Sequence, residues 1–554
     1  MADHDHGTDM RVSFEADPSG YHHWNLAFDG PVATLTMKVD EQHPMKPGYA
    51  LKLNSYDFSV DVELSDAISR VRFGHPEVRC LVVTSAFDRI FCAGANIYML
   101  GGSSHPFKVN FCKYTNETRI SLEDLAHGSG VHTIAALNGT ASGGGYELAI
   151  ACEEILLVDD GNSAVSLPEV PLLGVLPGTG GLTRLVDKRK VRRDFADVFS
   201  TIAEGVKGKR AKQMRLVDDV IPKGSFAKEV AARAKARADA SPAPSGAVGL
   251  ELVPLSPEVS GDVFTWRHVT LTLERDDRTA TLEIRGPSKD EPVSAAEMRA
   301  RGNDLWALRA WRELDRALLE LRMNEPTIGI VRVKTVGDAD VLIRVDEALA
   351  SAKAAGDWFA REVVLHMARV LRRFDATAKS FFVLAEAGSA FAGSFLELSL
   401  ASDRTYALED AKVRFGVSSL NGGALPMSHG LSRLAVRFYG EPGADARVLA
   451  ASGTSFDAVR ADALGLVTFL LDDIDYEDEV RVAVEERASL SPDALTGMEA
   501  SLRFAGPENC DSKIFGRLTA WQNWISQRPN AVGEKGALTC YGKPQRPQFD
   551  YRRT

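Results

Sequence analysis

Residues 141–152, ASGGGYELAIAC, place three consecutive glycines directly before an apolar segment of helix-forming residues. Because glycine has no Cβ, its backbone can come close to a ligand. The free N–H groups at the start of the predicted helix point outward at its positive end. An acyl oxygen held there would meet hydrogen-bond donors and a helix dipole together, which is the arrangement of an oxyanion hole.

Two carboxylates lie near this glycine run. Glu147 falls in the first turn of the predicted helix, and Glu169 arrives from a loop after Pro168, which restricts the backbone. Two acids that face one cavity repel each other when both are charged, so we expect the pKa of one to rise and allow it to transfer protons. The alternative is that both cap helices at the surface, since glutamate is common near a helix start.

The longer pattern resembles the crotonase (enoyl-CoA hydratase/isomerase) superfamily over most of residues 20–240. The segments that carry the resemblance are FCAGANIYML (91–100), IAALNGTASGGGYELAIAC (134–152), LPGTGGLTRL (176–185) and MRLVDDVIP (214–222). The resemblance implies an acyl-CoA thioester as substrate and chemistry that passes through a stabilised thioester enolate.

The same resemblance implies roles for individual residues. Ala95 and Gly144 would supply the two N–H groups of the oxyanion hole. Glu147 and Glu169 match the two catalytic acids. The neighbouring residues expected to contact the substrate are Gly94, Asn96, Gly143 and Gly145. The family usually carries aspartate where this sequence has Asn96. Because an amide still forms hydrogen bonds, we expect this change to adjust the function of the site rather than remove it.

Cys112 is a third catalytic candidate. It lies in KVNFCKYTNETRI (108–120), between the two oxyanion segments, where the family covers its acyl pocket. A thiol there could act as a nucleophile or a proton donor. The alternative is a small buried packing residue, which is the commoner role of a lone cysteine.

The second half of the chain repeats landmarks of the first at an offset of about 250 residues. The repeated pairs are HWNLAFDGPVATLTM (23–37) with HVTLTLERDDRTATLEI (268–284), GGGYELAIACEE (143–154) with GSFLELSLASDR (393–404), and LPGTGGLTRL (176–185) with LPMSHGLSRL (425–434). A constant offset across several landmarks indicates two copies of one module.

The second copy lacks the chemistry of the first. Ala392-Gly393-Ser394 replaces the triple glycine, and Ser418 or Ser419 stands at the position of Glu169. Glu397 remains at the position of Glu147, but no counterpart of FCAGAN is present. We therefore expect a structural role for this copy, and a different site is the alternative.

These observations predict an α/β protein with two tandem crotonase-like ββα-spiral domains, the second degenerate, and a helical carboxyl-terminal extension. The predicted parts are a flexible amino terminus (1–20), a catalytic domain (21–240), a linker rich in Pro, Gly and Ser (241–262), a degenerate domain (263–490) and a helical or irregular extension (491–554).

Composition excludes several classes of protein. The net charge of −11 argues against nucleic-acid binding, and no apolar run approaches the roughly 18 residues that would span a membrane. Six scattered cysteines without a CxxC pair indicate neither a zinc site nor a disulfide framework. The sequence contains no GxGxxG or P-loop, and no signal peptide. We expect a cytoplasmic enzyme with no metal and no cofactor, since coenzyme A belongs to the substrate.

The doubled length narrows the expected reaction, because an ordinary hydratase is much shorter. With YHHWNLAFDG (21–30) and PGYALKLNSYD (47–57), the chain resembles a ring-cleaving branch of the superfamily. This resemblance implies a C–C lyase of aerobic benzoate degradation that opens 2,3-epoxy- or 2,3-dihydrodihydroxy-benzoyl-CoA with water. The implied products are 3,4-didehydroadipyl-CoA semialdehyde and formate.

Two other functions remain open at this point. One is an ordinary enoyl-CoA hydratase or isomerase that acts on a bulky acyl-CoA. The other is a non-catalytic CoA-binding scaffold, as the second half alone would suggest. Single-module crotonases usually pack as trimers or paired trimers, so we expect a homo-oligomer, with a dimer favoured for a doubled chain.

Overall fold

The computed structural model describes residues 11–241, 243–244 and 246–554. The chain forms two compact units, Met1–Pro254 and Leu255–Thr554. The boundary between them falls inside the segment predicted as a linker (241–262). The predicted degenerate domain and the predicted extension both belong to the second unit.

The prediction of a flexible segment at 1–20 does not hold for residues 11–20. Val12 and Phe14 are buried, and the Phe14 ring contacts the ring of Phe58 edge-on at a centroid distance of 5.6 Å. These apolar side chains anchor the segment to the first unit. Residues 1–10 lie outside the described residues.

The described strands of the first unit form two sheets. They are β1 Trp24–Asp29, β2 Val32–Met37, β3 Cys80–Ser85, β4 Arg89–Cys92, β5 His132–Leu137, β6 Gly139–Ser142, β7 Glu154–Asp159, β8 Ala164–Ser166, β9 Val206–Lys207 and β10 Asp219–Pro222. A six-stranded sheet has the order β1-β2-β3-β5-β7-β10, and a smaller sheet has the order β4-β6-β8-β9. The segment 23–37 forms the antiparallel pair β1–β2, and the pairs from β2 to β10 are parallel.

Helices cover the larger sheet and connect its parallel strands. They are α1 Phe58–Gly74, α2 Ile97–Gly101, α3 His105–Asp124, α4 Gly144–Ala151, α5 Gly181–Thr183, α6 Arg193–Thr201, α7 Gly208–Gln213 and α8 Phe226–Asp239. The last of these helices, α8, lies against the larger sheet. Its side chains Phe226, Ala234 and Ala238 pack on the sheet residues Ile134 and Leu156, which places this hydrophobic core under α8.

The second unit has a longer sheet with a similar pairing pattern. Its strands are β11 Glu258–Ser260, β12 Val263–Thr265, β13 Val269–Glu274, β14 Thr279–Arg285, β15 Ile330–Val336, β16 Ser380–Ala385, β17 Ala390–Ala392, β18 Arg404–Leu408, β19 Arg414–Val417, β20 Thr454–Asp457 and β21 Phe469–Leu471. The main sheet has the order β11-β12-β13-β14-β15-β16-β18-β21. After the antiparallel pair β13–β14, the pairs to β21 are parallel, as they are after the hairpin of the first unit.

The helices of the second unit include the carboxyl-terminal segment. They are α9 Ala295–Arg301, α10 Trp306–Met323, α11 Ala339–Ala354, α12 Trp358–Ala376, α13 Ser394–Ala401, α14 Arg433–Arg437, α15 Ala444–Leu449, α16 Ala458–Ala463, α17 Tyr476–Ser489, α18 Pro492–Leu502, α19 Cys510–Lys513, α20 Thr519–Ile525, α21 Pro529–Val532 and α22 Ala537–Cys540. The helix α17 packs on β16 and β18 through Tyr476, Val480 and Val484, much as α8 packs in the first unit. Among the described residues, none of the helices combines the length and apolar character that crossing a membrane requires.

Candidate active site

The glycine run adopts the conformation that the sequence argument requires at the start of α4. Gly143 has φ 53° and ψ −127°, a combination that favours glycine, and its N–H donates to the Ser166 carbonyl oxygen at 2.9 Å. A Cβ at Gly143 would lie 2.6 Å from Glu169 Oε1. Position 143 therefore requires glycine for two reasons, the backbone angle and the Glu169 carboxylate that faces it.

The first predicted oxyanion segment, FCAGAN, lies directly against this turn. It follows the short strand β4, which comes after the buried strand β3 in the chain. Gly94 has φ 90°, and a Cβ there would lie 2.9 Å from both the Gly144 nitrogen and the Ser142 carbonyl oxygen. The two segments that the sequence separates by about fifty residues thus meet through their backbones.

Both predicted oxyanion donors remain available. Tyr56 N donates to the Gly94 carbonyl oxygen at 3.0 Å, and Asn96 N donates to the Tyr56 carbonyl oxygen at 2.8 Å. These two bonds fix the backbone on either side of Ala95. Within the described part of the chain, neither Ala95 N nor Gly144 N donates to an acceptor, so both N–H groups can bind a ligand oxygen.

Glu147 is buried in the first turn of α4 and held by the LPGTGG loop. Its Oε1 accepts hydrogen bonds from Thr179 N at 2.9 Å and Gly181 N at 2.8 Å, and its Oε2 accepts one from the Thr179 hydroxyl. A Cβ at Gly181 would lie 2.9 Å from Glu147 Oε1, which explains the glycine there. Arg184 fixes the loop in turn, because it donates to the Thr179 carbonyl oxygen at 2.9 Å.

Glu169 opens a single π-helical turn, Glu169–Leu173, directly after Pro168. Its Oε2 is enclosed and has no hydrogen-bond partner among the described residues. Burial raises the pKa of Glu169 to about 7, and the charge of Glu147 adds to the rise. One acid of the pair therefore has the raised pKa that the sequence predicted, but burial is the main cause and mutual repulsion only adds to it.

Comparisons with known proteins identify the family of this chain. The enoyl-CoA hydratase/isomerase family model matches residues 50–249. The protein named benzoyl-CoA-dihydrodiol lyase from Aromatoleum evansii is 53% identical over 544 residues, which cover 98% of this chain and 98% of that protein. The chain belongs to the benzoyl-CoA-dihydrodiol lyase family. It is a lyase with the crotonase-like α/β fold, and the superfamily predicted from the sequence is confirmed.

More distant relatives match only one part of the chain. The fatty acid oxidation complex subunit alpha of Shewanella loihica is 32% identical over 195 residues, which cover 35% of this chain and 25% of that subunit. A crystal structure of an enoyl-CoA hydratase from Geobacillus kaustophilus matches 39% of this chain and 75% of its own chain, with 29% identity and a TM-score of 0.35.

Cys112 lies on α3 and faces the LPGTGG loop. A Cβ at Gly178 would lie 3.2 Å from its Sγ, and Asn116 Nδ2 donates to the Gly178 carbonyl oxygen at 3.0 Å. Burial raises the pKa of the Cys112 thiol to about 11, so the thiol is neutral near pH 7. Because the thiolate is the nucleophilic form, this environment favours the packing alternative over the predicted catalytic role.

Asn96 and Gly145 contact neighbouring segments of the protein and hold the backbone of the site in place. The Asn96 side chain caps α2 by accepting from Met99 N at 2.9 Å, and its Nδ2 donates to the Ala50 carbonyl oxygen at 2.9 Å. A Cβ at Gly145 would overlap the Cys92 carbonyl oxygen. Both residues were predicted to contact substrate. In the structure Asn96 ties the FCAGAN segment to Ala50, and Gly145 lets the start of α4 approach Cys92 closely.

The sequence argument missed Thr179 and Tyr56. Thr179 supplies two of the three hydrogen bonds to Glu147. Tyr56 is buried, its ring stacks on Arg119 at 5.2 Å from the centroid, and a Cβ at Gly144 would overlap its hydroxyl. LPGTGG was noted only as a family landmark, and no spacing signal connects Tyr56 to a glycine almost ninety positions later.

One group of side chains among the described residues has the composition of a metal site. His22, Asp40 and His43 have ligand atoms within 4.8 Å of one another, and all three are exposed or half-exposed. His43 Nδ1 already lies 2.6 Å from Asp40 Oδ2, and the rings of His22 and His43 stack at 4.1 Å. A hydrogen bond and a ring stack account for the group, and the prediction of no metal stays a prediction.

Proposed function

We propose that this chain opens the ring of 2,3-epoxybenzoyl-CoA, or of the corresponding 2,3-dihydrodiol, to give 3,4-didehydroadipyl-CoA semialdehyde and formate. The observation that carries the proposal is the pair of available N–H groups, Ala95 and Gly144, beside an acid, Glu169, whose pKa is about 7. Full-length similarity to the lyase from Aromatoleum evansii supports the choice of substrate.

The proposed reaction balances with water alone. The epoxide consumes two water molecules and the dihydrodiol consumes one. No external oxidant or reductant takes part. The chemistry therefore needs no redox cofactor, and coenzyme A enters only as part of the substrate.

The Ala95 and Gly144 N–H groups would bind the thioester oxygen. When water attacks a formyl group on the α-carbon of the opened ring, the bond to that α-carbon breaks and its electron pair enters the thioester as an enolate. Two fixed N–H donors stabilise this developing charge more than they stabilise the neutral carbonyl, which lowers the barrier. Gly94 and Gly143 keep side chains out of this space.

Glu169 would carry the protons. Its Oε2 has no competing partner within the described chain, and a pKa near 7 lets the carboxyl group accept a proton from water and return it to the enolate carbon. Glu147, held by Thr179 and Gly181, would orient the water. Cys112 would contribute by packing against the loop that holds Glu147.

The second unit would be a degenerate copy of the first, with a structural role. The similar strand order supports this, since both main sheets contain an antiparallel pair followed by four parallel strands. The second unit also has a glycine with the φ/ψ angles of Gly143, which is Gly393. The short helices after Pro492 would form the extension of this copy.

A homodimer would be the working form. Beyond Glu169, the segment 170–176 exposes large apolar side chains, with Leu172 64%, Val175 55% and Leu176 66% exposed. Exposed apolar patches of this kind mark interaction surfaces. Sedimentation equilibrium of the full chain, compared with a Leu172→Ser, Leu176→Ser variant, tests this assembly.

Formate release from synthetic 2,3-epoxybenzoyl-CoA, without added metal or nucleotide, tests the proposed function. Formate and an aldehyde in equal amounts are the expected result, and the Glu169→Gln protein is the matched control. Hydration of crotonyl-CoA without formate release would identify the protein as an ordinary enoyl-CoA hydratase. Binding of the epoxide without turnover would leave only the scaffold function.

A further inference from the structure

A cavity of about 460 Å³ lies within the second unit, away from Gly393. It is bounded by the carboxyl end of α13, by α14 and by α18. Its lining contains five arginines, Arg404, Arg433, Arg437, Arg487 and Arg503. A volume of this size is typical of pockets for small organic ligands, so the charge balance of the lining decides what the cavity can bind.

Three of these arginines are already neutralised by carboxylates. Arg433 pairs with Asp375 at 2.5 Å and with Glu397 at 3.2 Å. Arg503 pairs with Asp403 at 2.8 Å. Glu499 meets Arg487 at 3.3 Å and Arg553 at 2.6 Å. This network contains four carboxylates and four guanidinium groups, so it has no net charge.

Arg404 and Arg437 stand outside this network. Arg404 donates to the Tyr406 hydroxyl at 3.1 Å and lies over the Phe382 ring, at 5.1 Å from the centroid. Arg437 Nε donates to the Gly465 carbonyl oxygen at 3.2 Å. Neither forms a salt bridge with a carboxylate of the described residues, and burial lowers the pKa of Arg437. The lining therefore carries two arginines outside any salt bridge of the described residues, and the charge of Glu441 offsets part of the positive charge of Arg437.

The protein backbone offsets only part of this charge. The carboxyl end of α13 reaches the cavity at Leu400 and Ala401, and a helix end contributes about half a negative charge. Two guanidinium groups in a partly enclosed space are costly unless an anion compensates them. The rest of the lining includes apolar side chains, among them Leu400, Met427 and Met498.

We propose that this cavity is a binding site for a small organic acid. The planar forks of Arg404 and Arg437 bind its carboxylate through paired N–H groups, a geometry that guanidinium supplies and lysine does not. The apolar body of the acid contacts Leu400, Met427 and Met498. The site lies entirely in the second unit and does not depend on the function proposed for the first.

Binding of benzoate to the full-length protein at low salt, measured by isothermal titration calorimetry, tests this site. We expect saturable binding that Arg437→Gln and Arg404→Gln each weaken by on the order of tenfold or more, since each removes one charged partner of the carboxylate. Arg460→Gln is the matched control, because Arg460 is an exposed arginine that lies over Phe456 outside the cavity. Circular dichroism and formate release are expected to stay unchanged in all three variants.

Two comparison probes separate the proposed ligand class from others. Benzyl alcohol has the apolar body without the charge, and inorganic phosphate has the charge without the apolar body. The proposal expects both to bind more weakly than benzoate. Equal binding of phosphate would make this an inorganic-anion site and overturn the proposal. Benzoate binding that neither cavity variant changes, or no saturation up to millimolar concentrations, would overturn it as well.

Discussion

Gly143 in the first unit and Gly393 in the second have almost the same backbone angles, φ 53° and ψ −127° against φ 53° and ψ −121°. Each precedes an eight-residue helix with a buried glutamate in its first turn, Glu147 or Glu397. The two turns differ in what meets the first N–H of the helix. In the first unit no described group accepts from Gly144 N, and this N–H is left for a ligand.

The second unit fills the equivalent position with its own carboxylate. Ser394 N donates to Asp346 Oδ2 at 2.5 Å, and a Cβ at Gly393 would overlap the same carboxylate. Asp346 lies on α11, a helix between β15 and α12, whereas the first unit has the Ala95 segment between β3 and α3. This explains why the sequence has no second FCAGAN, since a helix replaces that segment and brings an acid into the hole.

The glutamates of the two turns also have different partners. Glu147 accepts from two backbone N–H groups and one threonine hydroxyl of a glycine-rich loop, all of them neutral donors. Glu397 accepts from Asn421 Nδ2 at 2.8 Å and pairs with the buried Arg433. The same backbone thus carries a glutamate held by neutral donors alone in the first unit and one held partly by a charged side chain in the second.

Removal of the acids tests this difference most strongly. We expect Glu169→Gln to lower the rate of formate release by on the order of 10²–10⁴-fold, because a positioned general acid–base contributes about that much. Glu147→Gln should lower it by a similar factor, measured as kcat with 2,3-epoxybenzoyl-CoA. Glu397→Gln is the matched change in the second unit and should leave kcat unaltered. A Glu397→Gln protein as slow as Glu169→Gln would mean that the second turn takes part in the reaction.

A single methyl group at Gly144, in the turn of the first unit, should have the next largest effect on kcat. Gly144→Ala places a Cβ against the Tyr56 hydroxyl and displaces the N–H donor, so we expect kcat to fall by on the order of 10²–10³-fold, as for loss of one oxyanion donor. The double variant Gly144→Ala, Tyr56→Phe should recover part of this loss, with Tyr56→Phe alone as control. Ser394→Gly, the reverse change at the equivalent position of the second unit, should not alter turnover. No recovery in the double variant would show that the Tyr56 contact is not the cause.

The pH dependence distinguishes the two roles that Glu169 could have. Because its pKa is about 7 and the proposed mechanism begins with the ionised form, kcat/KM should rise about tenfold per pH unit below pH 7 and level off above it. Glu397→Gln should leave this profile in place. A kcat/KM that instead falls as the pH rises through 7 would mean that the protonated form of Glu169 starts the reaction.

Local patterns in the sequence predicted the elements and the residues of the open site, and contacts between distant segments decided the rest. The glycine run, Glu147 and Glu169 follow from spacing and residue type. The capping role of Asn96, the burial of residues 11–20 and the bonds from Thr179 to Glu147 depend on packing between segments. Asp346 was also missed, because an aspartate within an ordinary helix gives no sign that its side chain will reach a turn almost fifty residues later.

The contact between Asp346 and the turn at Gly393 can be tested through stability, and this test has the smallest expected effect. Burial raises the pKa of Asp346 from 3.8 to about 7, so its contribution to stability is fully present below pH 4 and is lost as the pH rises through 7. At about 1.4 kcal/mol per unit, the loss is at most about 4 kcal/mol. Asp346→Asn keeps an oxygen for the Ser394 N–H and carries no charge. The thermal midpoint of the variant should therefore match that of the natural chain at pH 4 and exceed it at pH 8. Equal midpoints at both values would mean that the pKa of Asp346 does not change on folding, and that burial does not raise it.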